Sequence, residues 1–153
     1  AITLKDEVFE GPIIYTGPLD ELFLARFGRL PYRSLDFVYE TYDEEMKFPV
    51  GTVNFTVSED YTRITEFKHL TGQVAPNTTI MKEYSRAYEN PREQIPYYAI
   101  INPENNAHYQ RYRSLTENLP NFYPLGRLAE YRYYNMDAIV VLALQLADQL
   151  LTE

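Results

Sequence analysis

The chain has 153 residues, of which 45% are hydrophobic, and a formal net charge of −8 at neutral pH. This length suits one domain, or one domain with a small appendage, and the apolar content is sufficient for a buried core. The acidic balance argues against nucleic acid or an anionic membrane surface as the main partner. An acidic protein still binds an anionic ligand where a few arginines converge on one cleft.

Cysteine is absent from the sequence, which excludes disulfides, thiolate metal sites and cysteine nucleophiles. No apolar run reaches the length of a membrane span, and the first ten residues lack the pattern of a signal peptide, so we expect a cytoplasmic protein. The two histidines, His69 and His108, do not form a spaced metal-ligand pattern, and we expect no metal site. No GxSxG, GxGxxG or GxxxxGK[ST] motif is present, so motif rules alone reveal no complete catalytic device.

The N-terminal region is predicted to begin with a buried strand and a short helix. Glu10–Tyr15 ends in apolar β-branched residues and runs into a Thr-Gly-Pro turn, which is typical of a strand that stops there. Leu19–Phe27 has apolar residues at helical spacing, and Gly28 is placed to end that helix.

Four segments then alternate apolar and polar residues. They are Ser34–Tyr42, Val50–Val57, Thr62–Phe67 and Thr78–Tyr84. Such alternation indicates antiparallel strands with one buried and one wetter face. The short connections between the segments favour a meander.

The remainder of the chain is predicted to contain a strand at Tyr97–Ile101, a helix at Asn105–Asn118, a strand at Phe122–Leu125 and a helix at Met136–Leu151. The apolar arc of the last helix is wide, so we expect it to be buried on more than one side. This order of elements predicts an α+β fold with a central antiparallel sheet, in which the first strand and the last helix form a separate layer.

The run GRLAEYRYYNMD, Gly126–Asp137, concentrates arginine and tyrosine just before the last helix. A helix N-terminus with arginine and phenol donors beside it is suited to holding an anion. Each residue also has a simpler interpretation: Asn135 is a good helix N-cap, and Arg33, Arg63 and Arg127 taken singly favour solvated or ion-paired roles. Most of the fifteen tyrosines are expected to serve packing.

Eight stretches nevertheless occur in the order and with the spacing of one known family. They are Ile13–Phe23, Arg26–Phe37, GTVNF at Gly51–Phe55, YTRITEFKH at Tyr61–His69, KEYSRA at Lys82–Ala87, IPYYAI at Ile95–Ile100, NNAHYQRY at Asn105–Tyr112, and Gly126–Asp137. Together they resemble the C-terminal part of UDP-galactopyranose mutase, a flavoenzyme family. Any one stretch is weak, whereas eight in register are specific.

The resemblance implies a fold and a reaction. Segments 1–28 and 105–153 are expected to belong to an FAD-binding layer, and segment 29–104 to the antiparallel substrate-binding sheet. The implied reaction, an isomerisation in cell wall polysaccharide synthesis, interconverts UDP-galactopyranose and UDP-galactofuranose through an adduct between the sugar and N5 of reduced FAD. The protein's part is to hold the diphosphate near the flavin and to stabilise the departing charge.

The resemblance also implies roles for individual residues. Arg63 is expected to contact the substrate diphosphate, and hydroxyl groups of two tyrosines to add hydrogen bonds to it. The implied substrate-binding set is Arg63, Tyr98, Tyr133, Asn135, Asn54 and Glu83. The implied flavin-side set is Arg127, Met136 and Arg33.

Two departures qualify these expectations. Asn135 stands where the family usually has aspartate, and the family's GxGxxG segment and helical domain are absent from the sequence. We therefore expect this chain alone to be inactive and not to retain FAD. Its expected partner is the missing N-terminal part of the same enzyme. A homodimer is an option for the full-length form. Two alternatives are a nucleotide-sugar-binding module without chemistry and a structural remnant whose arginines are merely solvated.

Overall fold

The computed structural model describes residues 3–4 and 7–152, which form nine strands and four helices. In chain order these are β1 (Thr3–Leu4), β2 (Glu7–Val8), β3 (Ile13–Tyr15), α1 (Leu19–Leu22), β4 (Tyr32–Tyr42), β5 (Thr52–Asn54), β6 (Arg63–Glu66), α2 (Lys68–Thr71), β7 (Thr78–Ala87), β8 (Tyr98–Ala99), α3 (Pro103–Thr116), β9 (Phe122–Pro124) and α4 (Met136–Thr152). The α+β class predicted from the sequence is confirmed.

The chain divides into two compact units. Unit 1 comprises the described residues up to Tyr32 and those from Pro96 onward, and unit 2 is Arg33–Ile95. The assignment of segments 1–28 and 105–153 to an FAD-binding layer stays a prediction, and residues 1, 2, 5, 6 and 153 of those segments lie outside the described residues.

Unit 2 is built on antiparallel strands in the order β5-β6-β7-β4. The predicted meander is correct for β5, β6 and β7 but wrong for β4, whose partner is β7. The reason is length: β4 and β7 pair over ten positions, from Arg33 opposite Ala87 to Tyr42 opposite Thr78, whereas β5 has only three residues to offer.

Alternation along these strands gives the sheet two faces with different side chains. One face, here called the arginine face, carries Arg33 on β4, Asn54 on β5, Arg63 on β6 and Glu83 on β7. The opposite face carries Asp36 and Glu40 on β4, which pair with Arg86 at 2.5 Å and Lys82 at 2.6 Å on β7.

Unit 1 has a parallel pair, β3 with β9, in the register Ile13 opposite Phe122. Its core is rich in tyrosine, with four of these side chains buried together with Leu19 and Leu30: Tyr32, Tyr109, Tyr112 and Tyr131. The rings of Tyr109 and Tyr131 stack at 5.5 Å, and the hydroxyl of Tyr131 donates to the Pro31 carbonyl at 2.6 Å. The packing interpretation is therefore confirmed for these four.

Helix α3 begins with a recognisable cap. The side chain of Asn102 accepts a hydrogen bond from the Asn105 amide at 2.8 Å, and Pro103 occupies the first helical position. Both features favour helix initiation, because the cap satisfies a free N–H and proline has none to satisfy. The helix consequently starts two residues before the predicted position and buries Tyr109 and Tyr112.

Several predicted boundaries were wrong. Helix α1 ends at Leu22 instead of Phe27, because Leu24 and Ala25 adopt left-handed backbone angles, each with φ 53°, that an α-helix excludes. Helix α2 was not predicted; it ends at Thr71 and is followed by Gly72, whose φ of 68° suits the residue that caps a helix C-terminus. The predicted strands at Glu10–Tyr15, Val50–Val57 and Tyr97–Ile101 shorten to two or three paired residues.

The expected burial of the last helix was also wrong. No residue of α4 is buried, although Leu142 and Leu146 line a cleft of about 310 Å³ together with Phe122. The other side of the helix is uncovered by the described residues, with Val140, Val141 and Leu144 all more than half exposed. The helix thus faces its unit with one side only. None of the described helices combines the length and the apolar character needed to cross a membrane.

Candidate functional site

The arginine face of unit 2 brings three of the predicted site residues into contact. The Nε of Arg63 donates to Oδ1 of Asn54 at 2.9 Å, and its Nη1 lies 3.7 Å from Oε1 of Glu83. The register explains this meeting, because Asn54 and Glu83 are the cross-strand partners of Arg63 on either side. Arg63 is 41% exposed and Glu83 only 10%, so the guanidinium has a buried carboxylate beneath it and an open side.

The backbone around Arg63 is fixed by the same neighbours. Thr62 donates to the Glu83 carbonyl twice, from its amide at 2.8 Å and from its hydroxyl at 3.2 Å. On the other edge, the Phe55 amide donates to the Thr62 carbonyl at 2.9 Å. Both connections continue the strand ladders past the last paired residues and hold the base of the Arg63 side chain in place.

Arg33 lies on the same face, at the far end of β4. It is exposed, it stands opposite Ala87, and its Nη1 lies 3.5 Å from the hydroxyl oxygen of Ser85. The structure thus gathers Arg33, Asn54, Arg63 and Glu83 on one side of one sheet.

Unit 1 brings together a second group of predicted site residues around Arg127. The guanidinium of Arg127 lies over two phenol rings, 5.1 Å from the ring centre of Tyr133 and 5.8 Å from that of Tyr98. Its Nε donates to the Tyr134 carbonyl at 2.7 Å. Cation–π contacts of this kind hold a planar cation in a defined orientation. No described residue accepts a hydrogen bond from Nη1 or Nη2 of Arg127.

The loop that carries Arg127 and Tyr133 is braced by Glu130, which the sequence analysis missed. One carboxylate oxygen accepts from the Gly126 amide at 2.8 Å, and the other accepts from the Tyr134 hydroxyl at 2.9 Å. Burial, reinforced by this hydrogen bond, raises the pKa of Tyr134. The sequence did contain a signal for this role: Glu130 is the only glutamate in the run GRLAEYRYYNMD, where it is surrounded by arginine and tyrosine side chains that can donate hydrogen bonds to it.

Asn135 and Met136 mark the start of α4. The Asn135 carbonyl accepts the first helical hydrogen bond, from the Ile139 amide at 3.2 Å, so Asn135 lies at the N-cap position that its residue type favours. Both residues are exposed, Met136 to 80%. The predicted site residues therefore fall into two groups, one in each unit: Arg33, Asn54, Arg63 and Glu83 in unit 2, and Tyr98, Arg127, Tyr133, Asn135 and Met136 in unit 1.

A family model described as UDP-galactopyranose mutase matches residues 2–133. The chain belongs to the UDP-galactopyranose mutase family. It is 35% identical over 152 residues to the UDP-galactopyranose mutase of Mycoplasma genitalium, with 97% of this chain and 38% of the relative covered. It is 38% identical over 144 residues to that of Mycoplasma pneumoniae, with 92% of this chain and 36% of the relative covered.

The matches extend to a protein named for another sugar nucleotide. The chain is 33% identical over 141 residues to the dTDP-fucopyranose mutase of Escherichia coli, with 90% of this chain and 37% of the relative covered. The chain thus spans little more than a third of the length of the curated relatives that it matches.

The residues around Arg127 offer hydrogen-bond donors of the kind that one edge of the flavin implied by the resemblance would accept. A half-buried guanidinium with two Nη groups lacking described acceptors presents hydrogen-bond donors to an oxygen-rich planar group, and the rings of Tyr98 and Tyr133 restrain it. The printed sequence contains no GxGxxG run, the element that holds a dinucleotide pyrophosphate at a helix N-terminus. The fit is therefore limited to the contacts that Arg127 and its neighbours offer.

Proposed function

We propose that this chain supplies the diphosphate-binding sheet of an enzyme that interconverts UDP-galactopyranose and UDP-galactofuranose. The observation that carries the proposal is Arg63: it stands on an open sheet face, it is held by Asn54 and Glu83, and no described residue accepts from its Nη2. A fixed guanidinium with a free donor edge is suited to a phosphate oxygen. Membership of the family supplies the ligand class.

In this proposal the chain's own residues bind and orient the substrate. Arg63 neutralises charge on the diphosphate, which is the leaving group of the reaction, and thereby stabilises the charge that develops as the glycosidic bond breaks. The hydroxyl groups of Tyr98 and Tyr133 donate hydrogen bonds to the phosphates. Arg127 presents its Nη donors to the flavin. Reduced FAD, when bound, supplies the nucleophilic nitrogen that the sugar's anomeric carbon requires.

The same proposal holds that the 153-residue chain alone is inactive and does not retain FAD. The reasoning is that one guanidinium edge and a helix N-terminus make too few contacts for a cofactor of this size, because the dinucleotide-binding glycine motif is not in this sequence. Gel filtration of the chain after mixing with FAD tests this. Flavin absorbance that stays with the protein peak would overturn it.

The role of Arg63 is tested in the full product of the gene with two variants, each of which replaces one arginine by alanine. Arg63→Ala is expected to weaken UDP binding about tenfold or more, since it removes a charge-assisted contact. Arg86→Ala is the matched control, because Arg86 lies on the opposite face of the same sheet and pairs with Asp36. Calorimetric titration with UDP measures both. An unchanged affinity in Arg63→Ala, or equal losses in the two variants, would contradict the proposal.

A second candidate substrate is a dTDP-6-deoxysugar, favoured by the likeness to the E. coli dTDP-fucopyranose mutase. The diphosphate chemistry is shared, so the choice depends on the base and the sugar. Competition between UDP and dTDP for the same protein separates the two candidates. Tighter binding of UDP supports the first, and tighter binding of dTDP supports the second.

A non-catalytic nucleotide-sugar-binding module is a third candidate, favoured by Asn135 in the place of the family's usual aspartate. Chromatography of UDP-galactofuranose incubated with the gene's full product, FAD and dithionite distinguishes it. Formation of UDP-galactopyranose shows an enzyme, and unchanged substrate with intact UDP binding shows a module.

A further inference from the structure

Asn54, Arg63 and Glu83 form a row across three neighbouring strands, with the arginine in the middle. Arg63 stands opposite Asn54 on one side and opposite Glu83 on the other. Directly opposed residues of an antiparallel pair project from the same face and lie close enough to touch. The row is therefore set by the backbone register, and both neighbours reach the same guanidinium group.

Each neighbour holds a different nitrogen of Arg63. Asn54 accepts from Nε at 2.9 Å, and Glu83 lies 3.7 Å from Nη1. Because Nε can only donate, the contact also fixes which end of the Asn54 amide is oxygen. The hydrogen bond to Nε and the carboxylate near Nη1 restrict rotation of the planar group, and Nη2 is the nitrogen with no described acceptor.

Glu83 is poorly suited to touch a diphosphate itself. An ionised carboxylate has acceptors and no donors, and it repels a phosphate. The Glu83 side chain is 10% exposed, against 41% for Arg63, so the arginine presents the accessible charge of the pair. The amide oxygen of Asn54 is likewise occupied by Arg63.

We propose that Asn54 and Glu83 are positioning residues for Arg63, which fix its guanidinium for the diphosphate instead of binding the substrate by their own direct contacts. This proposal rests on the proposed function, because it assumes that Arg63 is the group that grips the diphosphate. It replaces the substrate-contact roles that the family resemblance implies for Asn54 and Glu83.

The test is a double-mutant cycle in the protein as its gene encodes it, with UDP as the probe and uridine as the phosphate-free comparison. Asn54→Ala is expected to weaken UDP binding about five- to tenfold, the effect of one hydrogen bond to a charged group. Glu83→Gln removes an ion pair at 3.7 Å and is expected to weaken UDP binding by a smaller factor, about two- to fivefold. Uridine binding is expected to stay unchanged. In an Arg63→Ala background, both substitutions are expected to have no further effect on UDP, because the group that they position is gone.

Control variants separate positioning from general damage to the sheet. Asp36→Asn neutralises a carboxylate paired with an arginine on the opposite face, and it is expected to leave UDP affinity unchanged. Glu83→Asp, which retains the charge, is expected to bind UDP better than Glu83→Gln. Thermal unfolding of every variant checks its folding, and Asn54→Ala remains informative if Glu83→Gln fails to fold, because Asn54 is exposed.

Two outcomes overturn the positioning role while leaving the proposed function intact. One is a loss of UDP affinity in Asn54→Ala or Glu83→Gln that is equally large in the Arg63→Ala background, which indicates direct contact. The other is no loss in either variant although Arg63→Ala itself binds UDP weakly. A third outcome, UDP affinity unchanged by Arg63→Ala, overturns the role of Arg63 and the positioning proposal together.

Discussion

The two most deeply buried carboxylates among the described residues lie one in each unit, and their surroundings differ. In unit 2, Glu66 is 1% exposed and accepts three hydrogen bonds, from the amides of Lys47 and Phe48, each at 2.8 Å, and from the Thr78 hydroxyl at 2.6 Å. In unit 1, Asp20 is 0% exposed and accepts a long bond from the Leu30 amide at 3.3 Å, while no described residue donates to its Oδ1.

The comparison shows that hydrogen-bond donors, and not burial alone, decide whether an ionised carboxylate stabilises or destabilises the fold. Burial acts to raise the pKa of Glu66, but the bonds from Thr78, Lys47 and Phe48 outweigh it, so the pKa lies below its ordinary value. Burial also raises the pKa of Asp20, and the Leu30 amide and half-exposed Arg29 at 3.8 Å offset only part of the rise. Ionised Glu66 thus stabilises the fold, whereas ionised Asp20 opposes it.

Glu66 has a structural consequence for the candidate site. Glu66 is the last residue of β6, the strand that begins with Arg63. Its carboxylate accepts hydrogen bonds from the loop that precedes β5, and β5 is the strand that carries Asn54. The Glu66 amide donates to the Gly51 carbonyl at 2.9 Å in the same region. The two strands whose pairing sets the Asn54–Arg63 contact are therefore held together at their other end by one buried side chain.

Of the substitutions that test this comparison, removal of the Glu66 carboxylate should have the largest effect on the free energy of unfolding. Glu66→Ala leaves the buried Thr78 hydroxyl and two amides without their acceptor, and we expect the free energy of unfolding to fall by about 3 kcal/mol or more. Glu44→Ala is the control, since Glu44 pairs with the Lys47 side chain at an exposed site, and its effect should be much smaller. Urea unfolding followed by circular dichroism measures both. Similar losses for the two variants would contradict the assigned role of Glu66.

At low pH, the difference in unfolding free energy between the unsubstituted chain and Glu66→Gln should become smaller. Because the folded-state pKa of Glu66 is lowered, its contribution is fully present above the ordinary carboxyl pKa of about 4.3 and is lost as the pH falls through the folded-state value. We expect Glu66→Gln to cost about 2 kcal/mol at pH 7, since one acceptor becomes a donor, and clearly less at pH 3. Urea midpoints of both proteins at the two pH values give the comparison. A penalty that does not depend on pH would show that charge is irrelevant here.

The hydroxyl of Thr78 should account for part of the Glu66 effect. Thr78→Val keeps the shape of a 2% exposed side chain and removes the donor 2.6 Å from Oε1, so we expect a loss of about 1.5 kcal/mol. Thr79→Val is the matched control, because Thr79 is the next residue and bonds to Thr41 at an exposed position. In Glu66→Ala the loss from Thr78→Val should disappear, since the acceptor is absent; a full loss there would refute the coupling.

The strong periodic signals in the sequence were sufficient for much of the fold. The alternation in Ser34–Tyr42 and Thr78–Tyr84 predicted β4 and β7, and the apolar spacing of Met136–Leu151 predicted α4, with ends within a few residues of those observed. The place of β4 in the strand order could not be predicted from that information, because β4 and β7 are separated by more than thirty residues and no local pattern indicates their pairing. The reversed angles at Leu24 and Ala25 were equally invisible, since neither residue type favours φ above zero.

The candidate site shows a similar division. Family resemblance selected Arg63, Asn54 and Glu83, but their contact follows from the β5-β6-β7 register, which the sequence did not reveal. Glu66 was missed because its donors lie 12 to 19 residues away in sequence. Asp20 was missed because an acidic residue beside the start of a predicted helix already has an ordinary explanation. Burial of a carboxylate is a property of the folded chain that composition and alternation do not encode.

Neutralising Asp20 should give the smallest effect, with the opposite dependence on pH. Because its folded-state pKa is raised, the contribution of Asp20 to stability is present below the ordinary value of about 3.9 and is lost as the pH rises through the folded-state value. Asp20→Asn keeps an acceptor for the Leu30 amide and has no charge to bury. Relative to the unsubstituted chain, we therefore expect the unfolding free energy of the variant to increase between pH 4 and pH 7. Any constant cost of the new amide donor cancels in that difference. Urea unfolding at the two pH values measures this difference, and Asp36→Asn serves as the exposed control. If the unfolding free energy of Asp20→Asn instead decreases relative to the unsubstituted chain as the pH rises, Arg29 compensates the buried charge of Asp20.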